Sequence, residues 1–177
     1  MMNYYNTSLI NRLFFASISG ALVYPISFLE KVNPILYADI SLIDIAISLV
    51  FALFVMVPFL TKSNLLKSSL MIISSIAIYT SMVNLTINNY DLFSIHLEHE
   101  WAITVSGGLG ALLTGIVVKF IAPLKLRNTC YPLLVILGLA AGYIFSTTIE
   151  SQSSAINAVG YIVWQTMVCL AISVSKK

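Results

Sequence analysis

Asp44 has the strongest claim on chemistry in this sequence, because it stands inside an apolar run, Leu36–Leu60, that reads as a membrane-spanning helix. On that reading it lies about eight residues in, roughly 12 Å below the helix end at 1.5 Å per residue. An acid at that depth costs on the order of 2.5 to 3.5 kcal/mol, against about 0.3 to 0.6 gained per Leu, Ile or Phe. The helix can absorb this, but the carboxyl group must face a bundle interior or a wet cavity. Ser41 and Ser48 extend a polar face with it at helical spacing. Two roles fit: a group that meets an ion or solute, or a hydrogen-bonded acid that ties helices together.

The last apolar run offers this acid a partner surface. Asn157, Tyr161, Gln165 and Cys169 recur every four residues, with Trp164 beside Gln165 near midspan. Asp44, Asn157 and Gln165 are thus expected to line any path through the membrane. Ser74, Ser81 and Asn88 form a similar face on the third run. Interhelical hydrogen bonds from such groups are worth about 0.6 kcal/mol on average, so they glue helices as readily as they line pores.

Small residues make a different pattern. Gly107, Ala111 and Gly115 form one stripe on the fourth run, Ser106, Gly110 and Thr114 the next, and Gly138, Gly142 and Ser146 repeat the device on the fifth. Lipid supplies no hydrophobic drive for helices to associate, so close backbone approach over small residues supplies it. The stripes suit packing within one chain or a homo-oligomer interface, and two stripes on one helix favour two neighbours.

His96, Glu98, His99 and Glu100 cluster before the fourth run. If helical, this stretch could bring His96 beside His99 or Glu100 to bind zinc or sense pH; a solvated acidic loop is the plainer reading, and no metal or other cofactor is expected. The basic group Lys119, Lys125 and Arg127 reads first as a topology signal and anionic-lipid contact, and second as a docking site for a cytoplasmic partner protein. No nucleophile–base pair, H-E-x-x-H, Gly-rich phosphate loop or CxxC occurs, so neither an enzyme nor direct contact with nucleic acid is expected. Cys130 and Cys169 read as free thiols among helices.

The elements that must position these residues follow from composition. The chain has 177 residues, 59% hydrophobic and 9% charged, with mean hydropathy +0.94, whereas soluble domains carry roughly 25% charged residues. Apolar runs at 9–28, 36–60, 66–87, 101–122, 130–149 and 155–174 each suit a spanning helix of about 17 to 25 residues. The expected fold is therefore an all-α polytopic transmembrane bundle of about six helices in a single integral membrane domain, 1–177, with no soluble domain. The first run reads as a retained helix rather than a signal peptide.

Charges orient it. With the N-terminus inside, Arg12, Lys62, Lys67, Lys119, Lys125, Arg127, Lys176 and Lys177 fall on the cytoplasmic side and only Lys31 outside. Glu30, Asp91, Glu98, Glu100 and Glu150 fall outside. Both termini are then cytoplasmic, as expected for a multi-pass protein of a bacterial inner membrane.

In size and six-helix layout the chain resembles the substrate-binding subunits of some vitamin importers, and its loop-poor design resembles membrane immunity proteins. The likeness is one of outline and carries over no residue. The leading expectation is a non-enzymatic inner-membrane subunit acting by helix–helix and protein–protein contact: an oligomeric sensor, effector or immunity component. The rival is a channel or small-solute transporter with Asp44 and the helix-six polar residues along its path.

Overall fold

The structure, a computed structural model, describes residues 8–27, 35–37, 40–60, 64–86, 91–92, 95–96, 98–122, 124–149 and 154–176. Six helical segments are long and apolar enough to cross a membrane, so this is a helical membrane protein. The first span joins α1 (Leu9–Ala21) to the short α2 (Val23–Ser27). The second begins as α3 (Leu42–Phe51) and continues through a π-helical turn, Ala52–Met56, and a 3₁₀ turn, Val57–Phe59. The others are α4 (Leu65–Asn84), α5 (His99–Ile121), α6 (Cys130–Ile149) and α7 (Ser154–Val174). Two minimal antiparallel ribbons, β1 (Ile35–Tyr37) with β2 (Ile40–Ser41) and β3 (Asp91–Leu92) with β4 (Ile95–His96), precede the second and fourth spans.

Four spans begin or end within three residues of expectation, and α6 matches it at both ends. The second span does not: helix starts at Leu42, not Leu36. Ser41 adopts an extended conformation, its hydroxyl accepts the Asp44 N–H, and Asp44 accepts in return from the Ser41 N–H, a reciprocal capping box. Asn33 and Pro34, an asparagine and proline that in sequence suit a helix N-cap and first position, lie outside the described residues. At the other end Pro58 supplies no N–H to continue the ladder. The π turn and the following 3₁₀ turn carry the chain past it, with the Val57 N–H reaching back to the Ala52 carbonyl.

Spans follow one another round the bundle, and α7 closes the ring against α1. Neighbours run in opposite directions. Gly20 meets Ile162 and the Ser17 and Thr166 hydroxyls share a hydrogen bond at one level of α1 and α7, while Cys169 reaches the Arg12 carbonyl further along. On α4, Ser75 donates across to the Ser48 carbonyl at 2.8 Å; Ser74 and Ser81, expected to supply such glue, do not, because Ser75 occupies the buried face.

The closest packing is between α5 and α6. A Cβ on Gly107 would stand 2.6 Å from the Gly138 carbonyl oxygen and 2.8 Å from the Gly142 Cα, and one on Gly138 would meet the Ala111 Cβ at 2.7 Å. Gly115 receives the Leu134 side chain. This stripe is consumed within the chain, so it is not available as a homo-oligomer seam. Ser146 completes it with a bond to the Tyr143 carbonyl on its own helix.

Outward faces are apolar: Leu65, Phe120, Ile10 and Ile136 are more than 60% exposed, as lipid contact requires. Trp101 and Phe120 project near opposite ends of α5, whose 23 residues extend about 34 Å and so exceed the roughly 30 Å hydrocarbon core. Inside the ring, Met56, Met71, Val118, Leu134, Val168 and Ile172 are all but inaccessible. They fill the half of the bundle that ends at Arg12, Lys67 and the α5–α6 connection. The other half is not filled.

Candidate functional site

The unfilled half holds a cavity of about 260 Å³ walled by α3, α4, α5, α6 and α7. Its origin can be read from α5. Ser106, Gly110 and Thr114, the second small-residue stripe, all face it, and none has enough side chain to fill the centre of a six-membered ring. One stripe thus seats α6, with Gly107 also reaching the cavity, and the other leaves room.

Large aromatic groups frame that room. Trp164 donates from Nε1 to the Gly107 carbonyl at 3.1 Å and packs against Phe51 with ring centroids 5.2 Å apart. Tyr161 packs edge-on to Phe145 at 4.7 Å and lies nearly parallel to Tyr79 at 6.4 Å, the two tyrosine hydroxyls being hydrogen-bonded at 2.5 Å. These contacts hold the rings in place, and Phe51, Tyr79, Phe145, Tyr161 and Trp164 all line the cavity.

Asp44 and Gln165 meet here, as the sequence suggests. Asp44 is not deep in its helix, however, but in the first turn, because the helix begins six residues later than expected. A carboxylate there gains from the helix dipole. Its Oδ2 accepts both the Ser41 N–H at 3.0 Å and the Ser41 hydroxyl at 2.7 Å, and Oδ1 has no donor among the described residues. Oδ2 caps the helix, and Asp44 is also part of the cavity wall.

Gln165 and Ser106 line the cavity too, and their Oε1 and Oγ are buried without a hydrogen-bond partner. Gln165 is only 1% exposed. Burying an amide oxygen unpaired costs about 1 to 3 kcal/mol, and natural structures rarely leave it so without a use.

Other expected participants lie elsewhere. Ser41 is a helix cap, and Ser48 is buried with its hydroxyl on the Asp44 and Ile45 carbonyls of its own helix; neither lines the cavity. Asn157, four residues before Tyr161, is also absent from the wall, because α7 turns that part of its polar face beyond the cavity. Cys130 and Cys169 are free and buried, donating to the Ala171 and Arg12 carbonyls. His99 lies on the cavity wall, whereas the His96 side chain lies outside the described residues. No three His, Cys, Asp or Glu side chains converge among the described residues. Tyr79 was not legible in sequence as a site residue; a tyrosine within an apolar span was its one signal.

No protein-family model, curated protein or solved structure matches this chain. Its function must therefore be argued from the cavity itself.

At the opposite end, Lys125 and Arg127 are exposed, and the Lys119 ammonium sits 5.2 Å from the Tyr131 ring centre. The Arg127 N–H bonds the Ser175 carbonyl at 2.8 Å, bringing the α5–α6 connection against the end of α7. Burial, then the nearby Arg12 charge, push the Lys176 ammonium below its ordinary range. Such crowding of like charge suits a layer of anionic headgroups.

The capping role predicts the behaviour of Asp44 variants. Asp44→Ala should lower stability by about 1 kcal/mol through loss of the cap, while Asp44→Asn, whose amide oxygen can still accept from Ser41, should stay within about 0.5 kcal/mol. Unfolding of both proteins in mild detergent checks this. Equal losses would show that the charge, not the cap, holds this end of α3.

Proposed function

We propose that this is a non-enzymatic multi-pass membrane protein that captures a small solute in the cavity between its second and sixth spans, as a carrier or as the solute-binding subunit of a larger membrane assembly. The observation that carries this reading is a preformed and largely apolar cavity with only a few polar side chains, Asp44, Ser106, Thr114 and Gln165 among them, on its wall. Pockets of that kind, with few polar groups converging on them, are the usual form of small-molecule sites.

The cavity ends on the packed core of the basic half, which favours binding over an open channel. Reading the basic end as cytoplasmic by the positive-inside rule turns the cavity to the outer side of a bacterial inner membrane, so that solute enters from outside. Assembly by protein contact, as homo-oligomer or with a cytoplasmic partner at Lys119, Lys125 and Arg127, is compatible with this role. It no longer draws on the small-residue stripes, which the chain uses internally.

The test is chemical. Protein extracted mildly from its native membrane is denatured, and the small molecules released are compared by mass spectrometry between wild type and Ser106→Leu, which fills the cavity. A compound present with the first and absent with the second supports the reading. Identical profiles from two folded proteins refute it.

A further inference from the structure

We infer that the solute is a small organic cation, an amine or quaternary ammonium group on an apolar or aromatic body; this rests on the reading of the cavity as a solute site. Size limits the body. A cavity of about 260 Å³ is just below the roughly 300 Å³ at which drug-sized pockets begin, which suits one ring or a short branched chain and excludes a nucleotide or a polycycle.

Charge selects the head group. Asp44 lines the cavity, and no lysine or arginine does so among the described residues. The other titratable groups on the wall are His99, Tyr79 and Tyr161. An anion would enter low dielectric beside a carboxylate with no fixed cation to compensate either charge, whereas a cation completes a pair. The Asp44 carboxylate on the wall is the natural counter-ion.

The remaining groups point the same way. Gln165 and Ser106 also line the cavity, and each side chain carries an oxygen able to accept a hydrogen bond. Tyr79, Tyr161 and Trp164 line the cavity, and aromatic rings attract a cation through their quadrupoles and pack against an apolar body. Trp164 is held in place by its bond to the Gly107 carbonyl. A carboxylate and aromatic side chains around a space of this size form a site for a cation.

The experiment uses the full chain in mild detergent with Trp101→Phe, which leaves Trp164 as the one tryptophan of the two in the sequence. Three probes of similar shape are titrated against its emission: 2-phenylethylammonium, neutral 2-phenylethanol and anionic phenylacetate. The cation should saturate the signal at least about tenfold more tightly than the alcohol, the anion should give no saturable response, and Asp44→Asn should weaken the cation about 30-fold. Should Asp44→Asn fail to fold, the ratio of cation to alcohol affinity carries the test alone. Equal binding of alcohol and cation, or no effect of a folded Asp44→Asn, overturns the cation assignment and leaves the solute site standing. Saturation by none of the three overturns the assignment as well, and the Ser106→Leu comparison then decides whether the cavity holds any solute.

Discussion

Gly107→Val should separate α5 from α6 and destabilise the bundle by about 3 kcal/mol or more, near the upper end of what overpacking costs. The reason is what the new side chain would meet. Even its Cβ would lie 2.6 Å from the Gly138 carbonyl oxygen and 2.8 Å from the Gly142 Cα, and both are backbone, so no rotamer change relieves the clash. The neighbouring glycine is the control. A Cβ on Gly108 meets the Leu139 Cδ2 and Cγ at 2.9 Å, a flexible side chain that can turn aside, and alanine there also gains helix propensity of about 1 kcal/mol. Gly108→Ala should therefore be close to neutral. Unfolding of the three proteins by a denaturing detergent, monitored by helical circular dichroism, ranks them. A Gly107→Val protein as stable as Gly108→Ala would mean that α5 and α6 do not meet along this stripe.

Gln165→Leu should do the opposite, raising stability by about 1 to 2 kcal/mol while abolishing retention of the solute. Leucine is one chain atom shorter than glutamine but comparable in bulk, and with no amide to leave unsatisfied it recovers the desolvation cost of an orphaned buried polar group. Gains of this kind at binding sites are the familiar exchange of function for stability. The two readouts separate the alternatives. If the midpoint falls instead, Gln165 is held by a partner and belongs to the structural glue; if it rises and solute is still retained, the amide plays no part in binding.

The same stripe pattern explains why one expectation held only in part. Spacing of four marks residues that share a face, and helix α5 does carry two such faces. It does not say what each face meets. Gly107 and Ala111 meet α6, so that close approach fills space, while Ser106, Gly110 and Thr114 meet the axis of the ring, where the same small size creates space. A Cβ on Gly110 would have the Trp164 Cζ2 at 3.3 Å and the Met82 Cγ at 3.4 Å as its nearest neighbours, with no backbone atom among them.

Asp44 shows a second kind of limit. An apolar run from Leu36 suggests a helix start there, because hydropathy averages over a window and does not register the conformation of one residue. The correct start was nevertheless in the sequence as Ser41-Leu42-Ile43-Asp44, a serine followed three residues later by an acid. Weighing that capping pattern over hydropathy moves the acid from about eight residues inside the helix to its first turn and leaves it on the cavity wall.

What the sequence determined by itself is the solvent and the elements. Six runs of apolar residues must lie in lipid, must satisfy their backbone groups internally, and so must be helices; this needs only local composition. The order of spans round the ring, the pairing of Gly107 with Gly142, and the meeting of Asp44, Tyr79 and Gln165 at one cavity were decided by tertiary structure. They depend on the rotation of each helix about its axis, which is set by how all six pack together, and no window of a single helix contains that information.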